Sequence, residues 1–142
     1  MWPTDVATTT SNVFSTLLSA DITFAAPGRL QILATMCAIL GGGQEFSPVF
    51  GNFRFLVDGV PFPNAAPGTQ FLMSTQNAAA GEAQVEAGAY SRIGAVGAGL
   101  HTVELQWQVN GPPASRSMSI AESLALVGFY QHASLILTEL PA

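Results

Sequence analysis

Two histidines, one cysteine and nine carboxylates are the side chains in this 142-residue sequence best equipped for chemistry. Their spacing points away from catalysis. A metal site built on His101 and His132 would need a carboxylate or thiolate brought alongside by folding, and nothing in the spacing calls for one. His101, just after Gly99 and Leu100, reads as a strand-start residue that satisfies a backbone group, and His132 is read the same way. The acidic residues never form an Asp-x-Asp cluster, so a calcium loop is unsupported. No Gly-x-Ser-x-Gly elbow exists for a hydrolase triad. Gly41 to Gly43 lacks the Lys-Ser/Thr partner and the strand-to-helix setting of a phosphate loop. No enzyme and no cofactor are therefore expected. Cys37 lies in an apolar run and has no second cysteine to pair with, which predicts a buried, inert thiol.

Aromatic residues are the remaining candidates, as contacts rather than reagents. Trp107 shares its strand face with Val103, Leu105 and Val109 and is assigned to the core. Phe62, flanked by Pro61 and Pro63, either forms a contact surface or closes over one end of the fold. Trp2 would be costly to leave in water and is the second contact candidate, on an arm spanning residues 1–10. The rest of the chain, residues 11–142, is read as one domain.

The element that positions these groups is His101 to Val109, HTVELQWQV, in which apolar and polar residues alternate without a miss. Period-two alternation makes a half-buried strand, which needs a second layer over its apolar face. Leu30 to Leu40 reads as a central strand, or one sealed by a subunit contact, with a helix as the rival because Leu, Ala and Met favour it. Asp58-Gly59 between apolar runs marks a hairpin, because a primed turn needs positive φ at both central residues. Ser11 to Phe24 fits either one short helical turn or, as preferred here, two strand segments around Ser19 to Asp21, and further strands are expected at Phe53 to Val57, Val60 to Phe62 and Thr69 to Thr75. Gln84 to Val96 should be a strand broken near Gly88 or Gly94. Residues 44–52 and 114–119 read as loop. Ala133 to Leu140, strongly apolar, should lie inside a sheet rather than at its rim. Together these predict an all-β fold, an antiparallel jelly-roll β-sandwich of about eight strands.

Composition constrains partners. Only 9% of residues are charged and 49% are apolar, with no lysine and a net charge of −5. A typical domain carries about 25% charged residues, so a surface this sparse is expected to contact other subunits or partners, the alternative being a neutral surface of Ser, Thr, Gln and Asn. The net charge and four scattered arginines argue against a phosphate-binding surface, and nucleic acid is not an expected partner. The longest apolar-rich run is too short for a membrane span, and the first twenty residues do not form a secretory signal, so no membrane partner is expected.

The stretches PGRLQILATMCAIL, FRFLVDG, GLHTVELQWQV and ASLILTEL, across about Ile22 to Leu140, resemble compact jelly-roll domains of tumour-necrosis-factor and C1q-like shape found in bacteriophage head-decoration and fibre proteins. The resemblance lies in strands and turns, and no binding residue carries over from it. It implies a homotrimer and a virion location, with assembly in the host cytoplasm. The expected function is a capsid decoration or accessory protein that stabilises the shell by contacting the major capsid protein or other virion proteins. A fibre or spike component, or a lectin-like module binding a receptor or glycan through loops 61–68 and 110–116, is the alternative.

Overall fold

The computed structural model describes residues 7–41, 48–65, 68–74, 84–112, 116–120 and 133–141. Ten strands follow one another: β1 (Ala7–Thr9), β2 (Ser15–Phe24), β3 (Gly28–Gly41), β4 (Phe50–Val57), β5 (Val60–Pro61), β6 (Phe71–Ser74), β7 (Gln84–Val96), β8 (Gly99–Asn110), β9 (Ser117–Ile120) and β10 (Ala133–Leu140). No helix occurs among the described residues.

The strands form two antiparallel sheets packed face to face. In sheet I, β7 runs along one edge of β3 from Gly28 to Leu40. The other edge of β3 carries β10 at Arg29–Met36 and β9 at Ile39–Gly41, with β1 beyond β9. In sheet II the order is β2, β8, β4, with β6 and β5 sharing the far edge of β4.

Alternation explains the core. Val103, Leu105, Trp107 and Val109 of β8 point inward and are buried. They meet Leu30, Ile32, Ala34, Met36, Ala38 and Leu40, the even-numbered positions of β3. Phe24, Phe53 and Phe55 complete the interior, each at most 1% exposed. Two close sheets require a small residue where side chains from opposite layers collide. A Cβ on Gly51 of β4 would stand 2.6 Å from the Met118 sulfur across the sandwich.

Several expectations change on contact with the fold. β7 is unbroken and in continuous register with β3. Its glycines face inward, where Tyr90 lies over Gly88, and Phe62 with Pro63 over Gly94, so they make room instead of bending the strand. The irregularity falls in β2, between Thr16 and Leu18. Phe50–Asn52, read as loop, belongs to β4, and Ser117–Ser119, also read as loop, belongs to β9. Both owe their strand state to pairing with distant partners. Among the described residues β10 pairs with β3 alone and ends the strand order of its sheet, where a place inside the sheet was expected. Its apolar residues split between faces, with Leu135 inward and Ile136 49% exposed. Ala7–Thr9 of the expected arm forms β1, and Trp2 and His132 lie outside the described residues.

Candidate functional site

Two surfaces stand out, and they are built from opposite chemistry. The outward face of sheet I is made by the odd-numbered positions of β3 and their cross-strand neighbours. Gln31, Leu33, Thr35, Cys37 and Ile39 form the central row. Beside them β7 sets Ile93, Ser91, Ala89 and Ala87. On the other flank β10 sets Thr138, Ile136 and Ser134, and β9 sets Ser119. From Gln31 to Ile39 none of these residues carries a charge. Arg29 lies on the same face at its end, level with Leu140 and Ala95.

The polar groups on this face largely bond to one another. Thr35 and Ser134 share a hydroxyl pair, Thr8 and Ser119 another at 3.0 Å, and the Gln31 amide lies 3.5 Å from the Ser91 hydroxyl. Hydroxyls already paired within the layer lose little when water leaves, so covering this face costs less than its polar content suggests. Exposed Ile93 and Ile136 gain by being covered. Cys37 is half-buried in the central row instead of sealed in the core, and burial pushes its thiol pKa up.

Sheet II presents the contrast. Its outward face carries Asp21, Arg54 and Glu104 among threonines and glutamines. Thr102 donates to Asp21 at 2.8 Å, Thr16 donates to Glu104, and Arg54 donates to Gln106 at 2.9 Å while lying over the Phe14 ring. A face with laterally paired charges is a normal solvent surface.

The second notable surface is the end of the sandwich where β4 turns into β5 and β7 into β8. A cavity of about 300 Å³ opens there between Val60, Phe62, Asn64, Val96 and His101. Asp58 (φ 51°) and Gly59 (φ 78°) make the primed turn that the Asp-Gly pair predicts. The Asp58 carboxylate lies 2.7 Å from Nδ1 of His101. Nε2 of His101 lies 2.9 Å from the Gly97 carbonyl oxygen, so the histidine does satisfy a backbone group as its position suggests. Its bond to Asp58, 43 residues away, has no sequence signal: each residue has a sufficient local explanation, and only the packing of two turns brings them together.

Phe62 is 5% exposed, so it closes the sandwich end over Gly94 and presents almost no surface to a partner. The ring and Pro63 occupy the space that a Cβ on Gly94 would need. Trp107, 4% exposed, is core. At the seam between β6 and β7, Tyr90 stacks on Phe71 at 4.4 Å and Arg92 lies over the same ring. Burial, then the Glu86 charge, raises the Tyr90 phenol pKa. Arg92 donates to the carbonyls of Ser91 and Gln70, so this seam is occupied by its own contacts.

No family model matches the chain, and no curated protein matches it. Among the described residues, no three His, Cys, Asp or Glu side chains stand close enough to hold a metal ion.

Proposed function

We propose that this protein is a non-enzymatic structural component of a virion, a decoration or accessory protein that works by packing the outward face of sheet I against further copies of itself. The carrying observation is that face: built from five strands, uncharged from Gln31 to Ile39, with its hydroxyls paired laterally, opposite a sheet whose exterior is charged. Three copies about an axis is the favoured arrangement, and the assembled unit clamps the major capsid protein.

The pairing of strands supports the jelly-roll reading. β2 with β8, β3 with β7 and β4 with β6 are nested antiparallel pairs, as in one long hairpin rolled into two layers. The sparse charge of the whole chain supports assembly in the same way. The lectin-like alternative loses support, because Phe62, the aromatic residue of its 61–68 loop, faces inward.

Light scattering on the eluting full-length protein tests the assembly. The expected result is a mass that is a multiple of 14.8 kDa and falls on dilution. A single-copy mass at every concentration would remove the reading.

A further inference from the structure

His101 is the last inward-facing side chain of β8 at the turn end, and it is only 13% exposed. Phe24 of β2 meets its ring edge-on at 6.0 Å. Both ring nitrogens face oxygen atoms that can only accept: Asp58 Oδ2 at 2.7 Å and the Gly97 carbonyl at 2.9 Å. A neutral imidazole has one N–H and can satisfy one of them, whereas the imidazolium satisfies both.

The partners belong to different parts of the fold. Asp58 is anchored to the start of β8, since its Oδ1 accepts from the Thr102 amide at 2.9 Å and its own amide donates to the Thr102 carbonyl at 2.9 Å. Gly97 belongs to the turn that carries the chain from β7 in sheet I to β8 in sheet II. The ring therefore ties the β4–β5 turn to the crossing between sheets, beside the cavity lined by Val60, Phe62 and Val96.

We propose that His101 is a proton-operated staple: charged, it holds the β4–β5 and β7–β8 turns together, and on losing its proton it releases one of them and widens the cavity at this end of the sandwich. The Asp58 bond, then the Gly97 bond, raise the histidine's pKa, and the His101 bond, then that from Thr102, lower that of Asp58. Among the described residues few charges compete. Asp58 is the carboxylate in contact. Asp21 of β2 is on the outer face, held by the Thr102 hydroxyl, and Glu104 points outward farther along β8. β7 contributes Ala95 and Val96 near the ring, and the Phe62–Ala65 segment contributes no charge. This device leaves the outward face of sheet I unchanged, so it stands or falls apart from the proposed assembly.

The test is a pH titration of the imidazole nitrogens by NMR on the full-length protein, with His132→Gln to assign the signals, together with amide exchange. The informative variant is Asp58→Asn. Asparagine suits a left-handed turn position and can still accept from the Thr102 amide. Expected are a His101 midpoint above that of an ordinary histidine, a fall in that midpoint in D58N, and amide exchange at Gly97 to Leu100 that accelerates above the midpoint beyond what base catalysis alone produces. A midpoint at or below the ordinary value, a midpoint unmoved by D58N, or exchange that ignores the titration would each overturn the proposal.

Discussion

Replacing Ile136 by glutamate puts one charge in the middle of the outward face of sheet I, opposite Leu33. Ile136 is 49% exposed in the isolated chain, so a contact between copies has about half of its side chain left to bury. Full burial of such a side chain stabilises by about 1.5–3 kcal/mol, so this half contributes roughly 1 kcal/mol. Forcing a carboxylate into the same contact without a partner costs at least as much as an unsatisfied neutral polar group, about 1–3 kcal/mol more. Together the contact weakens by at least about 2 kcal/mol, which is roughly 30-fold or more in its dissociation constant. The fold itself loses little, because an exposed substitution of this kind usually changes stability by within about 0.5 kcal/mol. Sedimentation across a concentration series, with a thermal melt of the same samples, reads both quantities. Gln108→Glu on the outward face of sheet II, opposite Asn52, adds the same charge to the other layer and serves as the control. An I136E protein that remains folded and keeps the wild-type mass at every concentration, or a Q108E protein that dissociates equally, would rule out assembly through this face.

Further consequences follow from the same geometry. Cys37 sits in the central row of that face, so alkylation with a maleimide is expected to be slow when the protein is concentrated and to speed up on dilution; a rate independent of concentration contradicts burial between copies. The raised thiol pKa lowers its reactivity further. Gly51→Val is expected to destabilise by about 1–3 kcal/mol through overpacking against Met118 and Leu40, read as a lower denaturation midpoint, with no loss expected if the sheets can separate freely there. Phe55→Ala, in a fully buried position packed edge-on to Phe71, is expected to cost about 3–5 kcal/mol by chemical denaturation.

The Asp58–His101 pair also makes stability depend on pH, with a definite sign. The histidine's pKa is raised in the folded state, so its contribution is complete below the ordinary value of about 6.5 and is lost as pH rises through the higher folded value. The Asp58 pKa is lowered, so its contribution is complete above about 3.9 and is lost as pH falls through the lower folded value. The difference in stability between wild type and D58N should therefore be largest between about pH 4 and 6.5 and shrink on either side. Because the Asp58 side chain is 51% exposed, the difference should stay under about 1 kcal/mol. A difference that grows steadily toward alkaline pH would contradict the pairing.

Local patterns were enough for the strands that bury one face against the core. The unbroken alternation of β8, the even positions of β3 and the Asp-Gly turn are written in residue type, because period two and a positive φ are properties of a few adjacent residues. The uncharged exterior was legible only as a shortage of charge in the whole chain. Its gathering on one sheet was not, since the few charges could have been shared between both layers. Tertiary pairing decided the rest. β9 and the start of β4 are strands because distant segments supply their hydrogen bonds. Gly88 and Gly94 read as strand breakers but serve as sockets for Tyr90 and Phe62. Phe62 turned inward, and His101 found Asp58, because two turns far apart in the chain close the same end of the sandwich. Composition and period act through neighbours in sequence; which face is bare and which side chains meet depends on how the two sheets stack.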